Sequence, residues 1–135
     1  METGGYKGRS RALSRPGLHR LITQWLGVPA THIVSEYGMS ELNSQAYDQV
    51  VGRTAPDTAR CYRFPPWARA ITVSAETGGE VREGATGLIR VVDLANVRSV
   101  LAVQTEDLGV RRADGFELVG RARRTEARGC SLMSV

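Results

Sequence analysis

From residue 70 onward the chain runs as short apolar segments cut by glycine turns, and that pattern leaves few folds open. Ala70 to Val73, Leu88 to Val92, Val100 to Val103 and Phe116 to Val119 are rich in strand-forming side chains. Glu76-Thr77-Gly78-Gly79 and Glu83-Gly84-Ala85-Thr86-Gly87 supply turns between them, and Leu108-Gly109-Val110 with Ala113-Asp114-Gly115 brings the chain round before the last strand. Strands joined by tight turns pair antiparallel. The pattern therefore predicts an antiparallel β subdomain over residues 64–135, opening at Phe64-Pro65-Pro66-Trp67.

The first half follows a different rule. Leu18, Leu21, Ile22 and Trp25 recur at helical spacing and form one apolar face. Ser10 or Ser14 could cap that helix, Pro16 is tolerated in its first turn, Gly27 suits a left-handed C-terminal cap, and Pro29 prevents continuation beyond about Leu26. Thr31-His32-Ile33-Val34 then predicts a short buried strand. Helix, tight loop and strand feeding a turn is an α/β order, in which ligands bind beyond the strand ends. The fold class expected is α/β (α+β), with residues 1–63 as the α/β part and 64–135 as the β part of one partial core domain. Asn43 to Arg63 shows only scattered polar residues and Pro56, which predicts loop with at most one helical turn.

At 135 residues, with 41% hydrophobic and 24% charged side chains, the chain suits one globular domain. It has no apolar run long enough to cross a bilayer, and Met1-Glu2-Thr3-Gly4-Gly5 lacks the basic and apolar blocks of a secretory signal, so the expected location is cytoplasmic. Cys61 and Cys130 are too far apart for a metal-ligand pattern and are expected to be free thiols. The net charge of +4 is carried almost wholly by arginine, since Lys7 is the only lysine, and this favours anionic partners. Nucleic acid is not expected, because the arginines between Arg111 and Arg128 are interrupted by Asp114, Glu117 and Glu126 with few aromatics between them.

The stretch placed to meet a ligand is Ser35-Glu36-Tyr37-Gly38-Met39-Ser40-Glu41. An aromatic face can stack on a base, and Gly38 admits close approach of the backbone. Ser40 can donate to a phosphate oxygen, and Glu41 is a hard oxygen ligand suited to Mg²⁺. Alone, the stretch fits equally a strand-ending turn with a half-buried Tyr37 and a solvated Glu41.

Its neighbours resemble those of the adenylate-forming ligase superfamily, the acyl-CoA synthetase-like enzymes. Gly4-Gly5 before a helix is similar to the family's glycine loop, and Tyr37-Gly38-Met39-Ser40-Glu41 matches its aromatic-Gly-x-Ser/Thr-Glu motif. Gly84 to Asp93 resembles its Gly-x-x-Gly-strand block. Thr105-Glu106-Asp107-Leu108-Gly109 with Gly120-Arg121 resembles its Asp-Leu-Gly and Gly-Arg pair. Within the superfamily, Glu2 to Gly8, Asp93-Leu94-Ala95-Asn96 and Arg128-Gly129-Cys130-Ser131-Leu132 are most similar to the acyl-protein synthetases of bacterial luminescence systems.

The resemblance implies ATP and Mg²⁺ as cofactors, with a carboxylic acid, a fatty acid above all, activated as acyl-adenylate and passed to a thiol. It implies that Gly4 and Gly5 line the adenosine pocket, Tyr37 stacks on adenine beside Gly38, and Ser40 touches the α-phosphate. Glu41 would hold Mg²⁺, Asp107 would accept both ribose hydroxyls, and Arg121 would add a cation. Cys130 would carry the acyl group as a thioester, its thiolate favoured by Arg121, Arg123, Arg124 and Arg128. The acceptor is a protein cysteine or coenzyme A, and partner acyl-transfer or reductase subunits are implied. The family's Ser/Thr/Gly-rich phosphate loop and its lysine-bearing lid have no counterpart here, so the chain is expected to be a fragment of a larger ligase with open edges and an apolar patch. The alternative is a non-catalytic nucleotide- or partner-binding remnant.

Overall fold

The computed structural model describes residues 1–3, 13–53 and 60–122. β1 (Glu2–Thr3) leads to α1 (Arg15–Leu26), a 3-10 turn (Ala30–His32), β2 (Ser35–Tyr37) and β3 (Ala46–Tyr47). β4 (Ala68–Val73), β5 (Thr86–Asp93), β6 (Ala102–Arg112) and β7 (Gly115–Arg121) follow. The first three strands form one sheet in the order β1-β2-β3, and the last four form another in chain order. β1 runs parallel to β2, with Glu2 opposite Ser35, so α1 lies in a parallel crossover. Every pair in the second sheet is antiparallel, as the glycine-punctuated pattern predicts.

The helix ends where its sequence says it should. The Ser14 Oγ accepts from the Gly17 N–H at 3.3 Å, Pro16 sits in the first turn, and Gly27 closes the helix at φ 66°, where a side chain would be strained. Its apolar face is another matter. Trp25 and Leu26 are 77% and 72% exposed, and the buried residue of the helix is His19, whose Nε2 lies 2.8 Å from Glu2 Oε1.

The expected strand at 31–34 is instead the 3-10 turn and the extended residues after it, and the strand proper is the motif's own Ser35–Tyr37. Side chains take the carbonyls that a ladder would have used. The Gln49 Nε2 donates to Ile33 O at 2.7 Å, and Arg60 donates to Ile33 O at 2.9 Å and Ala30 O at 2.7 Å. Arg60 also meets the buried Asp48 at 3.1 Å, whose other oxygen accepts from the Ser35 N–H at 2.7 Å. The stretch from Asn43 to Arg63, expected as loop with at most one helical turn, thus supplies β3, two buried charges and bridges from Tyr47 to Arg63 and from Tyr62 to Phe116.

Leu108-Gly109-Val110 does not turn the chain but lies within the long strand β6, and the reversal comes at Ala113-Asp114. One core joins the two sheets: Tyr37, Leu42 and Ala46 pack with Tyr62, Ile89, Val91 and Phe116. Among the described residues no helix is long and apolar enough to cross a membrane.

Candidate functional site

The site begins with an interruption in a strand. Leu88 pairs with Leu108 and Arg90 with Gln104, so Ile89 alone stands opposite Thr105, Glu106 and Asp107. The Ile89 carbonyl is taken by the Thr105 Oγ at 2.7 Å and the Gln104 Nε2 at 3.3 Å, and Thr105 Oγ also accepts from the Asp107 N–H at 3.1 Å. A second shift follows at once, because Leu108 faces Gly120 while Gly109 faces Leu118. Gly109 fits closely there: a Cβ on it would lie 3.0 Å from the Ile89 side chain and 3.2 Å from Glu117 O, so a larger residue would have to displace them. Bulges re-aim side chains. Here the bulged residue is Asp107.

Its carboxylate meets the end of β2. The Tyr37 hydroxyl donates to Asp107 Oδ2 at 2.9 Å, and the Arg121 Nε lies 3.6 Å from Asp107 Oδ1. Burial, and then the Asp107 charge, raise the Tyr37 pKa far above that of a free phenol, so the hydroxyl is a fixed donor at any physiological pH. The ring itself is enclosed. Tyr37 is buried, with Phe116 edge-on at 5.1 Å, Tyr62 tilted at 6.0 Å and Phe64 edge-on at 6.4 Å. No open ring face remains for a base, so the contribution of Tyr37 in this structure is to hold Asp107, not to stack.

Beyond Tyr37 the chain passes through exposed Gly38 into the Ser40–Glu41 turn, where the Ser40 Oγ donates to Glu41 Oε2 at 3.1 Å and both side chains face solvent. The turn is tied down from the far side by the connection after β5. The Asn96 Nδ2 donates to Glu41 O at 2.9 Å and to Val100 O at 3.1 Å. Asp93, fully buried, accepts from the Asn43 N–H at 3.0 Å, the Ser44 N–H at 2.9 Å, the Ser44 Oγ at 2.9 Å and the Ala95 N–H at 3.0 Å. Burial pushes the Asp93 carboxyl up, but the hydrogen bonds from Ser44, Ala95 and Asn43 outweigh it and leave the pKa below the ordinary carboxylate range.

Sequence reading missed this role for Asp93, Asn96 and Ser44. A signal existed: Asp93 falls on the same face of β5 as the buried Ile89 and Val91, two residues apart each time, and an acid facing a core must be satisfied there. An open groove of about 410 Å³ runs beside the turn, lined by Asn43, Gln45, Tyr47, Arg63, Phe64 and Trp67 among others. A cavity of about 230 Å³ lies near Arg69, Arg111 and Arg112, but Glu80 and Glu117 already pair with these arginines.

The structure thus joins Tyr37, Asp107 and Arg121 directly and sets Ser40 and Glu41 on the turn that follows. Gly4, Gly5 and Cys130 lie outside the described residues. The other thiol, Cys61, is buried, and burial raises its pKa, which suits a packed side chain and not a nucleophile. Among the described residues no group of three or more His, Cys, Asp or Glu is placed to hold a metal. Glu41 is a lone exposed carboxylate, and that suits Mg²⁺, which commonly takes one or two carboxylates and completes its shell with phosphate and water.

No protein-family model and no curated protein matches the sequence. Solved structures do. Apo MatB from Rhodopseudomonas palustris superposes with a TM-score of 0.60 and 22% identity over 90% of this chain and 25% of that one. A structure from work on fatty acyl-adenylate ligases of E. coli and L. pneumophila gives 0.56 and 13% over 81% and 27%. The luciferase-like enzyme of the nonluminescent mealworm Zophobas morio gives 0.52 and 19% over 81% and 29%. MatB has also been seen with ATP bound. These neighbours are adenylate-forming ligases, and the chain spans roughly a quarter of their length. The chain therefore shares the fold of one part of these structures.

Proposed function

We propose that this chain supplies part of the nucleotide pocket of an ATP-dependent, AMP-forming ligase that activates a fatty acid and passes it to a thiol, in the manner of an acyl-protein synthetase. The observation that carries the reading is the corner where the β6 bulge aims Asp107 at Tyr37 and Arg121, three residues before the Ser40–Glu41 turn, on a fold shared with adenylate-forming ligases.

In this reading Asp107 accepts the ribose hydroxyls with the oxygen capacity that Tyr37 leaves it, and Tyr37 fixes the direction of that carboxylate. Exposed Gly38 lets the backbone approach the base, and Arg121 adds positive charge beside the ribose and phosphate. Ser40 donates to the α-phosphate, and Glu41 would hold Mg²⁺, which supplies Lewis-acid stabilisation of phosphate charge. The acid's carboxylate oxygen forms a bond to the α-phosphorus as the bond to the β-phosphate oxygen breaks, releasing pyrophosphate. A thiolate then takes the acyl carbon and AMP leaves. Gly4-Gly5 is assigned to the adenosine side and Cys130 to the thiolate. Residues 1–63 and 64–135 together form one portion of the core domain, in a fragment of the larger enzyme.

The exposed apolar side chains Trp25, Leu26, Leu94 and Val97 favour a second reading, a remnant that binds nucleotide or a partner without chemistry. One experiment separates the two. Protein carrying this chain is incubated with labelled fatty acid and ATP, and hydroxylamine-sensitive label is followed in wild type and Cys130→Ala. Label lost with the variant supports the thioester. Label retained removes the role of Cys130, and nucleotide binding without any acid-dependent pyrophosphate exchange favours the remnant.

A further inference from the structure

We infer that the connection after β5 is a clasp that sets the Ser40–Glu41 turn, with Asp93 and Asn96 as positioning residues for the polyphosphate end of the nucleotide. The inference rests on the nucleotide-site reading above and adds to it a division of labour.

The turn carries the two side chains assigned to phosphate and metal, yet it is exposed and short, and its only internal bond between side chains among the described residues is the 3.1 Å contact between Ser40 and Glu41. One main-chain bond, from the Leu42 N–H to Met39 O at 3.1 Å, closes the turn and sets its shape but not how it is held against the sheet. Its direction comes from two points on either side of Leu42, which is itself buried in the core. On one side, Asn96 holds the Glu41 carbonyl at 2.9 Å. On the other, Asp93 takes the N–H groups of Asn43 and Ser44 together with the Ser44 hydroxyl, and the Asn43 Nδ2 returns to Ala95 O at 3.1 Å. Asn96 is held in turn, because its own N–H donates to Asp93 O at 3.2 Å and its amide donates to Val100 O at 3.1 Å.

All four lone-pair directions of Asp93 are thereby used, which leaves it no capacity to bind a ligand but makes it a rigid post. Trp67 reports on the same post, since its indole N–H donates to Ser44 Oγ at 3.1 Å. The adenosine end is built separately. Asp107 is aimed by the bulge and by Tyr37, through hydrogen bonds that share no member with the clasp. Loosening the clasp should therefore cost more affinity for ATP with Mg²⁺, which meets both Ser40 and Glu41, than for AMP without metal, which meets Ser40 alone. Outer partners of metal-holding groups show such effects.

The test uses the full 135-residue chain, wild type, Asn96→Ala and Asp93→Asn. Asn96→Ala removes one side-chain amide and is the milder change. Amide hydrogen exchange is read first, without nucleotide. The expected result is loss of protection at Asn43, Ser44 and their turn neighbours in both variants, with the amides of β5 and β6 still protected. Unchanged exchange at the turn in both variants overturns the clasp, whatever binds. Nucleotide binding is read next by equilibrium dialysis, with AMP alone and with ATP plus Mg²⁺. The expected result is about tenfold weaker ATP–Mg²⁺ binding, with AMP weakened by no more than about threefold through Ser40. Equal loss for both nucleotides shows general destabilisation and overturns the division of labour. If exchange changes as expected but wild type binds neither nucleotide, the nucleotide-site reading fails and the positioning role falls with it, while the structural clasp stands.

Discussion

Two carboxylates of the β5–β6 hairpin, Asp93 at the end of β5 and Asp107 at the bulge in mid-β6, use their oxygens in opposite ways. Asp93 is sealed from solvent and accepts four hydrogen bonds, three of them from main-chain N–H groups. Asp107 keeps 24% of its side chain exposed and, among the described residues, accepts one short side-chain hydrogen bond, from Tyr37, with Arg121 at 3.6 Å. A saturated acid organises the chain around itself. An acid with capacity to spare can take a ligand's hydroxyls. In the proposed reading, that difference separates the support of the site from the site itself.

The comparison can be broken by mutation. Asp93→Ala takes the acceptor from the N–H groups of Asn43, Ser44 and Ala95 and from the Ser44 hydroxyl, with Ser44 buried, and should cost roughly 3 kcal/mol of stability, read as a drop in the denaturation midpoint. If the midpoint is unchanged, Asp93 is not a post. Tyr37→Phe keeps the core ring and removes only the hydroxyl, so a smaller loss of about 1.5 kcal/mol is expected, with weaker AMP binding because Asp107 loses its guide. Asp107→Asn should leave stability within about 1 kcal/mol of wild type and weaken AMP roughly thirtyfold, the loss of charge-assisted hydrogen bonds to a diol. Should Asp107→Asn unfold the chain instead, the two acids are alike and the distinction is void. Arg121→Ala, on a side chain 70% exposed, should be nearly silent in stability and reduce AMP affinity by about threefold at low salt.

Acidity sharpens the same contrast. The folded pKa of Asp93 lies below the ordinary value of 3.8, so its contribution is fully present above about pH 4 and is lost as pH falls below that. Stability should decline on that limb, and Asp93→Asn should flatten the decline. Tyr37 and Tyr62 act at the other extreme. Burial raises both pKa values, so their contribution holds below about pH 10 and is lost as pH rises beyond it, which alkaline unfolding monitored by tyrosinate absorbance would show.

Much of the fold was legible because its signals are local. Ser14, Pro16 and Gly27 fix the helix within a few residues of themselves, and apolar runs between glycine turns fix four antiparallel strands. What escaped is non-local. Arg60 and Gln49 pull the carbonyls of residues 30–33 out of a strand from many residues away, and no periodicity records that. Leu108-Gly109-Val110 looked like a turn, and the two extra residues of the bulge just before it, at Thr105–Asp107, appear only against the β5 register. The motif at Tyr37 was visible, but its aromatic ring proved to be core, with its hydroxyl on Asp107. Periodicity gave the apolar face of α1 and said nothing of what covers it: Leu18, Leu21 and Ile22 are half-buried and Trp25 stays open.

The measurement that bears most directly on the central claim is AMP binding to the full chain, wild type against Asp107→Asn, by calorimetry at neutral pH with both proteins shown to be folded. Saturable binding by wild type at one site, reduced roughly thirtyfold in the variant, is the predicted result. Absence of saturable binding by folded wild type, or equal affinity in the two proteins, would contradict a nucleotide pocket centred on Asp107.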